Sequence, residues 1–532
     1  MIDMKKTTLI LALVAQTMLV FAQKNAPENW FNLDPKQNKI NGVSTERTYN
    51  ELLKGKSGQK VIVAVIDGGT EVIHEDLKRV IWVNVREIPN NNIDDDNNGY
   101  VDDVNGWNFI GGQAENVAED NLEVTRLYKQ LKARYEKVDT NSLDGVEKEN
   151  YAFYKKVKAT YSKGYNEYAM YNNIYSSLEK GVTSLTKSLG KDSLSMAEFK
   201  AYKPADMNEA MAQNSISKTF ESSKKNYVVI SKFGKGLQGA KEQISKFVDY
   251  HYNLDFDSRH IVGDNYEVVS ERYYGNNRVS APNGEHGTHV AGIIAADRNN
   301  GMGIKGVSDN AEIMVLRVVP DGDERDKDVA NAIRYAVDNG AKVVNMSFGK
   351  AFSPYKDAVD EAILYAQSKD VLLVHAAGND HKNLEVENNY PNDKITNYTA
   401  SNWIEVGASN WKKKKLIPAE FSNYGKQSVD VFAPGVDINS CIPESKYASF
   451  NGTSMASPVT AGVAAVIRSY YPELTAAEVK EIILQSAVKV KGKVQVPGTK
   501  KKVKMTELCV SGGLVNLYEA VKLAEVKMQN RK

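Results

Sequence analysis

Unbroken apolar runs, not alternating ones, set the pattern of this chain. Val61-Ile62-Val63-Ala64-Val65-Ile66 ends in Asp67, and Ile313-Met314-Val315-Leu316-Arg317-Val318, Lys342-Val343-Val344-Asn345, Val371-Leu372-Leu373-Val374 and Ile404-Glu405-Val406-Gly407 read the same way. A strand buried on one face alternates apolar and polar residues, whereas a strand buried on both faces does not. These runs therefore predict a mainly parallel sheet covered on both sides. Helical patterns lie between them, Val329 to Asn339 stopped by Gly340, and Tyr355 to Lys369. Strands alternating with helices predict an α/β fold with right-handed crossovers, whose functional groups collect at the carboxyl ends of strands. Asp67 stands at one such end.

A further helix, expected from Ser454 to about Ser469, carries the small residues Ala456, Ala461, Gly462, Ala464 and Ala465, which suit close packing. Ser454 is placed at its N-terminus, where free amides and the helix dipole favour negative charge. Taken alone, a serine there reads as an N-cap. Thr475-Ala476-Ala477-Glu478 predicts a capping box. A lysine- and valine-rich hairpin or loop over 489–504 and a final helix after Gly513-Leu514-Val515-Asn516 close the pattern. Residues 23–58 are polar, with a short helix expected around Glu46 to Leu53.

The stretch from about Glu115 to Leu254 differs from the rest. It holds one proline, Pro204, and many Tyr and Lys residues. Tyr128, Leu131, Tyr135 and Val138 recur at helical spacing, as do Tyr154, Val157, Tyr161, Tyr165 and Tyr168, then Ile174, Leu178, Val182 and Leu185. Two or more long amphipathic helices in a hairpin or small bundle are expected, with the tyrosines as a packing seam.

Composition narrows the function. The chain has 532 residues, 42% apolar and 25% charged, which suits a globular protein of more than one domain. A net charge of +1 argues against nucleic acid as a partner. Two cysteines exclude a disulfide scaffold and leave either one Cys441–Cys509 bridge or two thiols. At the N-terminus, Lys5 and Lys6 precede an apolar run from Leu9 to Phe21, and Val20 and Ala22 suit a cleavage site before Gln23. This predicts a signal peptide and an exported protein, periplasmic or extracellular, with an uncleaved anchor as the alternative. No stable membrane span is expected in the mature chain.

The chemistry comes from a second motif, Asn283-Gly284-Glu285-His286-Gly287-Thr288-His289-Val290-Ala291-Gly292. His286 begins a small-residue helix, so its ring can face a cleft. His289 stands at a spacing that could pair with His286 on a metal, but no Glu lies between them, and a packed helix residue is expected. Asp67, His286 and Ser454 together supply a carboxylate, an imidazole and a hydroxyl, the set that acyl transfer requires. Asn379, in Ala376-Ala377-Gly378-Asn379 at the end of an expected strand, can offer a side-chain amide to an oxyanion, and the Ser454 amide a second donor.

These pieces resemble the subtilisin family (subtilases) of serine proteases: Val65-Ile66-Asp67-Gly68-Gly69, His286-Gly287-Thr288-His289-Val290-Ala291-Gly292, Ala376-Ala377-Gly378-Asn379 and Gly452-Thr453-Ser454-Met455-Ala456-Ser457-Pro458 stand in the family's order. The resemblance covers about residues 59–110 and 263–525. It implies a three-layer fold with Asp67 as orienter, His286 as general base and then acid, Ser454 as nucleophile and Asn379 as oxyanion donor. It also implies protein or peptide substrates, held along Ser347-Phe348-Gly349 by strand addition. Ala376, Ala377 and Gly378 would wall the pocket for the residue before the cut, and these small residues suggest a roomy, apolar pocket. Catalysis would need no cofactor.

Departures from the family are few. Gly68 replaces the usual Ser or Thr, Ser457 stands where Ala is frequent, and 219 residues separate Asp67 from His286 where relatives need far fewer. Residues 23–58 are shorter than the usual inhibitory propeptide, so the helical insertion is expected to act as lid, restraint or folding aid.

Two calcium sites are weighed. Asp94-Asp95-Asp96-Asn97-Asn98-Gly99-Tyr100-Val101-Asp102 resembles a calcium loop in which Asp94, Asp96, Asn98, the Tyr100 carbonyl and Asp102 would be ligands, although Asn105 replaces the closing Glu. The family resemblance places a second structural calcium at Asp76 and Asn300.

The expected organisation is a signal peptide (1–22), an N-terminal extension with the first part of the catalytic domain (23–114), an all-helical insertion (115–262) and the remainder of the catalytic domain (263–532). The expected function is an exported serine endopeptidase working through an acyl-enzyme. The alternative is a self-restrained or inactive peptide-binding relative whose insertion covers the cleft. An esterase on another α/β fold is disfavoured, because its Gly-x-Ser-x-Gly elbow and residue order are absent.

Overall fold

The computed structural model describes residues 26–281, 284–412 and 417–531. The expected signal peptide lies outside the described residues. Two compact units form, Val124–Phe256 and the pair of segments Ala26–Glu123 and Asp257–Lys532.

The larger unit is built on nine strands: β1 (Val61–Asp67), β2 (Gly106–Asn108), β3 (Ala311–Arg317), β4 (Val343–Met346), β5 (Leu372–Ala376), β6 (Trp403–Ser409), β7 (Val431–Pro434), β8 (Val488–Lys489) and β9 (Gly513–Leu514). Their order is β8-β9-β7-β6-β5-β4-β1-β3-β2. Every pairing is parallel except β8 with β9 at one edge. The chain runs from β1 out to β3 on one side and then to β4 on the other. The strand order reverses at β1, where the carboxyl ends of the strands open a crevice.

Three layers result. Val63 and Val65 of β1 join one core with α1 (Glu285–Ala295), α4 (Thr453–Tyr470), α5 (Ala476–Ser486) and α6 (Leu517–Gln529). Ala64 and Ile66 join the other core, with α2 (Asp326–Asp338) and α3 (Lys356–Ser368). All four β1 side chains are fully buried, so the absence of alternation is the sequence trace of a two-sided sheet. Each of the Val and Ile side chains contributes about 1.5–3 kcal/mol by leaving water. Gly462 lets α4 press on its neighbours, because a Cβ there would lie 2.7 Å from Val307 Cβ.

The polar segment before β1 is part of this core. Trp30 and Phe31 are buried, and Trp30 Nε1 donates to the carbonyls of Val436 and Asp437 at 3.1 Å. Asn516 Nδ2 reaches Ser44 Oγ at 2.7 Å. A few buried aromatic and aliphatic side chains thus tie a stretch of low average hydropathy into the fold. Cys441 and Cys509 are both buried free thiols, which resolves the choice left by the sequence.

The smaller unit is dominated by the 45-residue helix Gly145–Leu189, against which Met207–Ser222 and Ile230–Lys246 pack. The tyrosine seam is real: Tyr128 stacks on Tyr161 at 4.5 Å, and Tyr154 and Tyr161 are buried. Tyr165 instead points outward. The unit is not purely helical, since Ser193–Ser195 and Tyr227–Val229 pair as an antiparallel ribbon. Three residues per strand are too few for a periodic signal, so helical patterning hid them.

Candidate active site

Asp67 is the last residue of β1 and His286 the second of α1. Gly287 permits their approach: a Cβ there would fall 2.2 Å from Gly69 O and 3.2 Å from Asp67 Cβ. His286 Nδ1 donates to Asp67 Oδ1 and Oδ2 at 2.8 and 2.9 Å. Asp67 Oδ1 also accepts from Gly68 N at 2.7 Å. Asp67 is buried, and the His286 side chain is 41% exposed, open to a substrate. Burial lowers the His286 pKa, but Asp67, by charge and by hydrogen bond, outweighs it and holds the imidazole above its ordinary value. His289 is the packed residue expected, with Nε2 on the carbonyls of Ile438 and Ala448 and its ring stacked on Phe450 at 4.3 Å.

Ser454 is not the cap that its position suggested. The N-cap of α4 is Gly452, and Ser454 is the second helical residue. The reason lies four residues on. Pro458 has no N–H for the Ser454 carbonyl, which is left without its helical donor. Ser347 Oγ fills that place at 2.9 Å, and Ser454 Oγ in return donates to Ser347 O at 3.0 Å. This reciprocal pair docks α4 on the end of β4, with Ser457 Oγ bonding Asn345 Oδ1 at 2.8 Å behind it. Ser454 and His286 share no hydrogen bond in this state, as is common before substrate tightens a site.

Asn379 follows β5 and is turned by Thr453. Its Oδ1 accepts from Thr453 N at 2.9 Å and Thr453 Oγ1 at 3.0 Å, which fixes the amide so that Nδ2 points away. Neither that Nδ2 nor the Ser454 amide meets an acceptor among the described residues; the latter is one of the free first-turn donors of a helix. Both converge on one open spot. A Cβ on Gly452 would lie 3.5 Å from Ser454 N and 3.6 Å from Asn379 Nδ2, and glycine leaves that place empty.

Beyond Asp67, His286 and Ser454, Ser347 is buried, Phe348 half-buried and Gly349 exposed, on the extension of β4. Lys350, next in sequence, is a buried ammonium held by Glu123 Oε2 at 2.7 Å, Asp326 Oδ1 at 2.8 Å and Glu324 O at 2.7 Å. Ala376 and Ala377 are buried and Gly378 half-buried on the neighbouring strand end. Sequence reasoning missed Asn389, whose Nδ2 donates to Ala376 O and Ala377 O at 3.1 and 3.2 Å. It sits in a loop with no periodic signal.

The two metal expectations fare differently. Asp94 and Asp96 gather with Glu87, their oxygens within 4.8 Å of one another. Glu87 is buried, and burial together with Asp103 and Asp96 raises its pKa against the hydrogen bonds it accepts. Asn98 Oδ1 and the Tyr100 amide are bonded to each other at 2.8 Å. Asp102 accepts from the amides of Asn91 and Asn92 instead, and Glu87 stands in the cluster with Asp94 and Asp96. At Asp76 the carboxylate is engaged within the protein. Its Oδ1 accepts from Asn300 Nδ2 at 2.6 Å and its Oδ2 from Ile304 N and Tyr447 OH at 2.9 and 3.2 Å. Met302 N, bonded to Asn300 Oδ1, turns the Asn300 amide so that its NH2 faces Asp76. Each oxygen of the Asp76 carboxylate thus has a protein donor, as do those of Glu87, Asp94 and Asp96.

Comparison with known proteins places this geometry in a lineage. A thermophilic serine proteinase of Bacillus sp. (strain AK1) is 41% identical over 208 residues, 39% of this chain and 48% of that protein. Thermitase of Thermoactinomyces vulgaris is 37% identical over 259 residues, 48% of this chain and 81% of thermitase. The cell wall-associated protease of Bacillus subtilis (strain 168) is 34% identical over 222 residues, 41% of this chain and 23% of that protein. The chain thus spans about half the length of the first of these relatives. The model of the subtilase family matches residues 58–508, and the chain belongs to that family.

Proposed function

We propose that this protein is an exported serine endopeptidase that hydrolyses peptide bonds through an acyl-enzyme. In this reading His286 takes the Ser454 proton as Oγ attacks the scissile carbonyl, and Asp67 fixes the imidazole tautomer and stabilises the imidazolium. The oxyanion forms between Ser454 N and Asn379 Nδ2, and His286 then returns its proton to the leaving amine. Water deacylates the enzyme by the same route. The observation that carries the reading is the pair of free donors flanking the open spot at Gly452, one of them the amide of Ser454 itself, within the fold that orients His286 on Asp67. The test is labelling by a fluorophosphonate probe together with casein cleavage; a folded mature protein that does neither overturns the assignment and favours the self-restrained alternative.

Asn379→Ala tests the oxyanion role. Its expected effect is a fall in kcat of about 10²–10³ with little change in KM, the size known for this asparagine in subtilisin. Equal effects on kcat and KM would contradict it.

A structural calcium is proposed at Glu87, Asp94 and Asp96. Three carboxylates converge there, one of them buried; the Arg86 guanidinium pairs with Asp96 Oδ2 at 2.9 Å, and a hard cation with oxygen ligands would offset the repulsion that remains. Adding EGTA should lower the melting temperature, and calcium at a hundredfold excess over Kd should restore it by adding about 2.7 kcal/mol of stability. Glu87→Gln should abolish most of that calcium dependence, and an unchanged response would argue against the site.

A further inference from the structure

The lysine- and valine-rich stretch after β8 is a built hairpin, not a loose loop. Lys493–Gln495 and Lys502–Lys504 pair as an antiparallel ribbon. Its turn, Val496-Pro497-Gly498-Thr499, is closed by Thr499 N on Val496 O at 3.1 Å. Proline presets the second position and Gly498, at φ +68°, supplies the left-handed third, as a type II turn requires. Val494, Val496 and Met505 are buried in the same apolar cluster as Ala377 and Leu384, so one face of the ribbon is fixed to the body of the enzyme.

The other face is cationic. Seven lysines lie between 489 and 504, all of them exposed, and no acidic residue lies between 487 and 506. None of the seven pairs with a carboxylate among the described residues. The flanking acids Glu481 and Glu507 are taken by Lys527 at 2.8 Å and Lys426 at 3.3 Å. The register sets Lys493 directly opposite Lys504, where like charges weaken a ribbon. A hollow of about 280 Å³ at the base is lined by Lys489, Lys493 and Lys504. The whole chain carries a net charge of +1, so this hairpin stands positive against a remainder that is net negative. A bound anion would relieve that repulsion.

The tip of the hairpin adjoins the active site. A Cβ on Gly498 would lie 2.8 Å from His381 Cγ, and His381 follows Asn379 by two residues. Chain geometry then puts Lys500 within roughly 20 Å of Asn379, about six residues of extended polypeptide. The stretch 487–506 holds no aromatic residue on which a base could stack or that could enter a lipid surface.

We propose that this hairpin is an exosite for acidic segments of the polypeptide substrate. A run of Asp or Glu a few residues from the scissile bond is drawn to the lysines, which raises kcat/KM by favouring productive encounter. The proposal rests on the endopeptidase reading above and deepens it.

Peptides that share one cleavable core carry a run of Glu or a run of Gln, placed about six residues from the cut on the acyl side in one pair and on the leaving side in another. For at least one side the wild type should favour Glu over Gln in kcat/KM by about tenfold or more at low salt. That preference should fade toward one at about 1 M salt, where the Debye length has dropped to about 3 Å. The triple variant Lys500→Gln, Lys501→Gln, Lys502→Gln should bring the ratio near one at low salt, and the matching triple Arg variant should keep it. Ratios within one protein do not depend on how much of it is active, so a partly unstable variant still reports. Labelling of Ser454 by a fluorophosphonate is measured alongside. A labelled wild type with a ratio near one on both sides overturns the exosite alone, as does a ratio that salt or the Gln variant leaves unchanged. Binding of that labelled protein to phosphatidylglycerol vesicles would then assign the lysines to a lipid surface instead. A folded wild type that is not labelled overturns the endopeptidase reading, and this proposal with it.

Discussion

Ser454→Ala is expected to lower kcat for peptide hydrolysis by about 10⁶-fold, the loss known for the nucleophile of subtilisin, and to abolish fluorophosphonate labelling. In the proposed mechanism Ser454 alone forms the acyl bond, because the neighbouring Thr453 hydroxyl is committed to Asn379 Oδ1 at 3.0 Å. The variant should remain folded. Ser454 Oγ makes one hydrogen bond, to Ser347 O, and such a bond is worth only about 1 kcal/mol. The second strut, Ser347 Oγ to the Ser454 carbonyl, uses the backbone and survives the substitution. Equilibrium unfolding beside the kinetics separates the two effects. Labelling that persists at another residue, or hydrolysis within tenfold of wild type, would contradict the assignment.

Asp67→Asn should cost about 10⁴-fold in kcat, because an amide in place of the carboxylate can hold the imidazole in the wrong tautomer and no longer stabilises its charged form. It should also move the pH profile, and the sign follows from the pair. His286 must be neutral to accept the Ser454 proton. Burial lowers its pKa and Asp67 raises it by more, so the acid limb of kcat/KM in the wild type should lie above the ordinary histidine value. Removing the carboxylate leaves burial in charge, and the limb should shift to lower pH. The same pairing stabilises the folded protein below the ordinary histidine pKa. That contribution is lost as pH rises through the higher folded value, and Asp67→Asn should lose it throughout. A limb that stays in place would mean that another group titrates.

Much of the architecture was legible because burial leaves a mark on composition. β1 is apolar at every position since Val63 and Val65 face one core while Ala64 and Ile66 face the other. The tyrosines at 154 and 161 recur at helical spacing because one stripe of a long helix is covered. The misses have a common cause. Ser454 looked like a cap since only local context was visible, yet Ser347, 107 residues away, takes both its hydroxyl and its carbonyl. Pro458 was the available signal, a residue that deletes the very donor Ser454 O would have used. Glu87 stands outside the loop whose spacing suggested calcium, and Asp102 inside that loop turns to other amides.

By itself the sequence determined which side chains carry chemistry and which strands are buried, because residue type and periodicity are local properties. Tertiary structure decided how those side chains are aimed. It set Asp67 against His286 across 219 residues, turned Asn379 by way of Thr453, and bound Asn389 to the carbonyls of Ala376 and Ala377. Aim depends on hydrogen-bond partners and on the room that glycines leave, and both come from segments remote in the chain.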